Sequence, residues 1–284
     1  MNDSPLFSVL IANYNNGRYL PEAIESVISQ TYSNWEIIIV DDCSTDNSKD
    51  IYTKLENETR IKIFYNDANK GVGYTKKRLC ELAQGEIAGF LDADDALINT
   101  SIEKMCEAHT QLKEVALIYS TFYICDTDLN ILRRSSYQEA IPVGKTYLDC
   151  TLGRVSHFAS FKLQYYKLTK GINPEFILAE DQDLYFKLEE VGGLFYIDEP
   201  LYRYRMNSKG VSQTDSEVTV AWGLIAKYEA CKRRGLDPAK YFLPVIGGEK
   251  NIISFYENSR DYKIGKFFLM PYRFLKYKLF RGKY

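Results

Sequence analysis

Apolar residues in the first hundred positions follow two spacings. Val9 to Ile11 lie in a short apolar run that ends at Asn13-Tyr14-Asn15-Asn16-Gly17, which predicts a strand entering a turn. Leu20, Ala23, Ile24, Val27 and Ile28 then recur at helical spacing. Trp35-Glu36-Ile37-Ile38-Ile39-Val40 is β-branched and nearly all apolar, as expected of a strand covered on both faces, and it ends in Asp41-Asp42. Ser44, Thr45 and Asp46 offer an N-cap for a following helix, with acids in its first turn. Ile61 to Tyr65 and Glu86 to Leu91 predict two more strands, with a helix from about Val72 to Ala83 between them. The last strand runs into Asp92-Ala93-Asp94-Asp95.

This β-α-β-α-β-α-β order predicts an α/β fold built on a parallel, doubly wound sheet. In such sheets ligands sit at the carboxyl ends of the strands. Three strand ends carry polar or acidic clusters, Asn13-Tyr14-Asn15, Asp41-Asp42 and Asp92-Ala93-Asp94, and one crevice would collect all three.

The pattern is less regular afterwards. It predicts a helix over Ser101 to Lys113, a strand over Leu117 to Ile124, and irregular chain over 126–160. A helix follows from Glu180 to Glu190 with Leu184 and Leu188 buried, then short strands at Leu194 to Ile197 and Leu201 to Arg205. Residues 218–260 read as largely helical. The expected organisation is a main domain over 1–215, with halves 1–97 and 98–215, and a helical C-terminal extension over 216–284.

Composition narrows the function classes. Across 284 residues, 36 basic and 38 acidic side chains leave a net charge of -2, which argues against a nucleic-acid binder. Six dispersed cysteines with no C-x-x-C pair predict reduced thiols in a cytosolic protein. Two histidines, His109 and His157, exclude a multi-histidine metal site. Met1 to Pro5 lacks the basic start and long apolar stretch of a signal peptide, and no run reaches the roughly 18 apolar residues of a membrane span.

Charge is unevenly spread. Residues 262–284 hold seven Lys or Arg, eight aromatics and no acid, which leaves -9 on residues 1–261. Such a tail suits an anionic membrane interface, with aromatics buried and cations at the headgroups. The alternative is a basic helix packed on the acidic body. The membrane reading predicts a cytoplasmic protein, peripheral on the inner face of the plasma membrane.

Candidate chemistry concentrates at the strand ends. Asp92 and Asp94, one residue apart, can hold a divalent cation through oxygen, with phosphates completing the sphere. A solvated acidic turn is the plain alternative, and it weakens because the pair follows an apolar strand in register with the other clusters. Capping accounts for Ser44 and Thr45, but not for two adjacent carboxylates at 41 and 42. Asn69-Lys70-Gly71-Val72-Gly73 puts a glycine turn before a helix carrying Lys76, which suits a diphosphate. It is no dinucleotide fingerprint, since Lys76 stands at the third glycine. Glu180-Asp181-Gln182-Asp183 is an acidic helix start, favourable for the helix dipole. It is also a natural source of a general base for a hydroxyl.

Ser8 to Asn15, Gln30 to Asp46, Gly85-Glu86 and Leu91 to Asp95 together resemble the family 2 glycosyltransferases of the GT-A fold. The strong likeness covers residues 7–97, and Glu180-Asp181 extends it to about residue 205. The resemblance implies a Rossmann-like nucleotide-binding sheet flanked by helices and a smaller acceptor lobe. It implies a nucleotide-diphosphate sugar donor, UDP-linked, and a Mg²⁺ or Mn²⁺ ion. Transfer would go with inversion to a saccharide or lipid-linked saccharide, in cell-surface polysaccharide synthesis.

By position, Ala12 and Tyr14 line the nucleoside and Asp42 reads the base. Lys76 stands where the family usually has an arginine near the nucleotide. Asp92 and Asp94 form the metal motif, Asp94 as the direct ligand, and Asp181 is the catalytic base with Glu180 as its neighbour. Ala12 replaces a usual proline, Lys77 and Leu79 replace an asparagine and a glycine, and Asn207 lies near where some members place a metal-binding histidine. Those departures leave room for a non-catalytic, donor-binding partner subunit with the transferase fold. A sugar-nucleotidyltransferase would need a glycine-rich triphosphate loop after the first strand, where this chain has only Gly17.

Overall fold

The computed structural model describes residues 4–207 and 216–246. The chain divides into two compact units, residues 1–236 and 237–284. The described part of the second unit is the helix α8 (Ala239–Ile246). Residues 247–260, expected to be largely helical, and the basic aromatic tail 262–284 lie outside the described residues.

The first unit is organised by one sheet. Strands β1 (Phe7–Asn13), β2 (Trp35–Asp41), β3 (Ile61–Tyr65) and β4 (Ile87–Phe90) form its parallel half in the order β3-β2-β1-β4. Helices α1 (Leu20–Ile28), α2 (Ser48–Lys54) and α3 (Val72–Leu82) make the connections. Every residue of β2 is buried, as its unbroken apolar run requires of a strand covered on both faces. Val9, Ile11, Ile37 and Ile39 pack with Leu20, Ala23, Ile24 and Val27 of α1 in one core. Burying each such side chain contributes roughly 1.5–3 kcal/mol.

The sheet then changes character. Beyond β4 come β8 (Ala159–Lys162), β6 (Val115–Cys125), β9 (Gly193–Arg205) and β5 (Ala96–Leu97), and β7 (Ile131–Arg134) pairs with β6. β8 is antiparallel to both of its neighbours, while β9 is parallel to β6. Helices α4 (Ser101–Gln111), α5 (Leu163–Leu168), α6 (Glu180–Glu189) and α7 (Ser216–Arg233) complete the unit. Among the described residues no helix is long and apolar enough to cross a membrane.

Several elements differ from the sequence expectation, among them β5 and α5, which no pattern predicts. The chain over 126–160 is not wholly irregular: it contains β7 and opens β8, a four-residue strand too short to show a period. The two short strands near 194–205 are one strand. Asp198, Glu199 and Pro200 look like a break, but the register with β6 shifts between Ser120 and Thr121, and the ladder resumes beyond. Helix α2 starts at Ser48, later than the residues expected to cap it. Asp46 still meets the helix start, its Oδ1 accepting Ser48 N at 3.0 Å and Ser48 Oγ at 2.6 Å, while its Oδ2 accepts Gly17 N. Ser44 accepts Asn15 N, and Thr45 N donates to Asn15 Oδ1 at 2.8 Å. The second strand-end turn therefore holds the first.

Candidate active site

Strands β2, β1 and β4 lie side by side and parallel, so their carboxyl ends open on one edge. Asn13 and Asp41 are register partners, and Asp42 N donates to Asn13 O at 2.8 Å. Asp41 is structural: its carboxylate accepts from Asn13 Nδ2, Ser44 N and the Tyr52 hydroxyl. Asp42 is also buried. Its oxygens accept Asn66 Nδ2 at 2.7 Å, Lys70 N at 2.9 Å and Gly71 N at 2.8 Å. The amides before α3, expected to face a diphosphate, are thus held by Asp42. A carboxylate has about four lone-pair sites, so one remains. Ala12 is half-buried in β1, and Tyr14, just past its end, is 46% exposed.

Asp92 and Asp94 follow β4. Asp92 N donates to the Tyr202 hydroxyl at 3.1 Å, and that hydroxyl donates to Asp95 Oδ2 at 2.8 Å. Asp92 Oδ1 lies 3.9 Å from Lys76 Nζ, and Oδ2 lies 3.6 Å from His157 Nε2. Burial alone would raise the Asp92 pKa, but the Lys76 and His157 charges outweigh it and hold the carboxyl low. Asp94 has the opposite balance. Burial and then the Asp92 charge push it above the usual carboxylate range, against a hydrogen bond from Asn207. Asn207 thus meets Asp94 through its side chain.

Lys76 joins this corner to α6. Its ammonium is buried 2.7 Å from Glu180 Oε1, and Glu180 is buried as well. Burial pushes the lysine down, yet Glu180, Asp92 and Asp181 outweigh it and keep it protonated, above the ordinary lysine value. Ala179, just before α6, adopts a left-handed backbone at φ 57°, a conformation uncommon outside glycine, and the helix opens directly on Glu180 and Asp181. Asp181 is half-buried and accepts Gln182 N at 2.7 Å. Asp183 is committed elsewhere, to Lys187 at 2.5 Å and to Arg233 of α7 at 3.0 Å.

The structure therefore brings Asp92, Lys76 and Glu180 into one charged chain, with Asp94 and Asp181 next to its two ends in sequence. It keeps Asp42 in a separate cluster with the turn before α3. Sequence reasoning passed over His157, Tyr202 and Arg205. His157 stacks on Tyr202 with ring centroids 4.9 Å apart and planes 14° from parallel. A lone histidine in irregular chain carries no periodic signal. Tyr202 and Arg205 are buried in a strand that is mostly half-buried or exposed, so its pattern does not single them out.

Known proteins share the fold. The chain is 28% identical over 238 residues to the chondroitin synthase of Escherichia coli, covering 84% of this chain and 34% of that protein. The chain thus spans about a third of the length of that curated relative. Among solved structures it resembles S. aureus TarS 1-349 in complex with UDP-GlcNAc, at TM-score 0.65 and 18% identity over 90% of this chain and 74% of that one. It also resembles the mannosyltransferase PcManGT from Pyrobaculum calidifontis in complex with GDP-Man and Mn²⁺, at TM-score 0.59 and 13% identity over 82% and 65% of the two chains. These likenesses bear out the expected α/β fold of GT-A type. The description Glycosyl transferase family 2 matches residues 8–170, more than half of the sequence, and the chain belongs to that family.

Proposed function

We propose that the chain transfers a sugar, with inversion, from a nucleotide-diphosphate donor to a hydroxyl of a saccharide or lipid-linked saccharide. The observation that carries this reading is the charged chain Asp92–Lys76–Glu180, which draws the end of β4 and the start of α6 to one place. UDP is the favoured nucleotide, supported by the UDP-GlcNAc complex of the TarS relative. Polysaccharide synthesis at the cell surface is supported by the likeness to a chondroitin synthase.

Asp92 and Asp94 fit a divalent cation. Among the described residues no group of three or more His, Cys, Asp or Glu side chains is arranged to hold a metal. Mg²⁺ and its like need only one or two carboxylates, with phosphates and water filling the rest. The charge repulsion that raises Asp94 is what a cation would relieve. When bound, Mg²⁺ or Mn²⁺ supplies charge neutralisation for a departing nucleotide diphosphate.

The remaining work falls to the chain's own groups. Tyr14 offers an exposed ring to the nucleoside next to Ala12, and the free lone pair of Asp42 accepts a base N–H. Lys76 holds Asp92 ionised and Glu180 in place. Asp181 accepts the proton of the attacking hydroxyl. A carboxylate base with no enzyme nucleophile gives inversion, by the logic of inverting glycosidases. Residues 262–284 are proposed to bind an anionic membrane surface.

Calorimetric titration of UDP, GDP and CDP, each with and without Mn²⁺, tests the donor site. Metal-dependent binding of UDP above the others is expected. A folded protein that binds none of the three would leave only a non-catalytic role.

A further inference from the structure

Arg205 closes β9 and lies inside the molecule, its side chain 1% exposed. Its Nε donates to the Asp94 carbonyl oxygen at 2.5 Å, and its backbone N donates to Asp95 Oδ1 at 2.7 Å. The terminal nitrogens diverge. One reaches the Thr127 carbonyl in the β6–β7 turn, and the other reaches the Glu22 carboxylate on α1. The guanidinium carbon sits 4.4 Å from the Tyr19 ring centroid. One planar fork thus joins the loop bearing Asp92 and Asp94 to a turn and a helix outside the site. Arginine suits this task, because five donors in fixed geometry can serve several acceptors at once, which a lysine ammonium on a flexible stem cannot.

We propose that Arg205, anchored by Glu22, is a positioning residue that holds the Asp92–Asp95 loop in the form that receives the metal–diphosphate group of the donor. This rests on the transferase reading above. It makes Glu22, a residue of α1 with no part in the chemistry, a determinant of metal-dependent donor affinity.

Glu22 is 54% exposed, so Glu22→Ala removes the anchor without opening the core. Arg205→Lys keeps the buried charge and loses the fork. Two readouts apply to wild type and both variants: UDP titration with and without Mn²⁺, and amide hydrogen exchange across residues 92–97. In both variants UDP affinity with Mn²⁺ should fall roughly twofold to thirtyfold, the span of couplings between packed sites. Affinity without metal should hold, and exchange over 92–97 should quicken. Equal metal-dependent affinity in Glu22→Ala and wild type would overturn the proposal. If wild type binds no UDP, the donor reading falls, and exchange decides the anchor alone: unchanged rates over 92–97 refute it, and faster rates there support it.

Discussion

Glu180 and Asp181 are neighbours in sequence with different surroundings. Glu180 is buried against Lys76, whereas Asp181 keeps partial exposure and a single hydrogen bond to the amide of Gln182. Removing the proton-accepting group of one and the ion-pair partner of the other should therefore differ in kind. Asp181→Asn should lower turnover by about 10²–10⁴-fold, the usual worth of a positioned base, while nucleotide affinity stays near wild type. Turnover at the wild-type rate would remove Asp181 from the mechanism. Lys76→Met should act on stability, because it strands the Glu180 carboxylate in the interior. Loss of one partner of a buried pair costs about 3–5 kcal/mol, which urea unfolding would read. The double variant Lys76→Met/Glu180→Leu should recover most of that loss.

At the scale of elements, α3 and the segment 173–176 pack without room to spare. A Cβ on Gly73 would lie 2.5 Å from Phe176 O and 2.9 Å from Asn173 O, both backbone atoms that cannot rotate aside. Gly73→Ala should destabilise by about 1–3 kcal/mol, as overpacked sites do, and weaken nucleotide binding by shifting Lys76. Chemical denaturation alongside UDP titration would check both effects.

β1, α1, β2, β3, α3 and β4 are legible because each carries a run or period of apolar positions, whereas the two-residue β5 carries none. The meeting of β1, β2 and β4 ends followed from topology alone. What escaped was pairwise. The alternation in Tyr202 to Arg205 does not say that Tyr202 reaches Asp92 and Asp95, nor that Arg205 reaches Glu22, 183 positions away. Ser44 reads as a cap because capping is the local use of such a residue, and its actual partner, the turn at 15–17, is remote in sequence; Asp46 serves both, the start of α2 and that turn. β8 has only four residues, and its place between β4 and β6 comes from tertiary pairing.

For the molecule as a whole, the second histidine sets an acid limit on stability. His109 is buried, with Nε2 3.0 Å from Ser160 Oγ and Nδ1 without a hydrogen-bond partner among the described residues. Burial, and then the Lys162 charge, push its pKa down from 6.5 to about 3. The unfolded chain therefore binds a proton that the folded one refuses. Its contribution is complete above pH 6.5 and is lost as pH falls from there towards 3, by at most about 1.4 kcal/mol per unit. Unfolding free energies measured between pH 7 and 4 should show that slope, and His109→Gln should reduce it.

The Lys76–Glu180 contact spans 104 positions and ties α3 to the start of α6. A chimaera that replaced residues 1–97 with a relative's would insert that relative's residue at 76 into a pocket shaped around an ammonium and closed by Glu180. Exchange of donor preference by grafting the first segment thus obliges the engineer to transplant the acid at 180 with it. Positions 76 and 180 are thus exchanged together or not at all, tied by a bond that neither segment's sequence reveals alone.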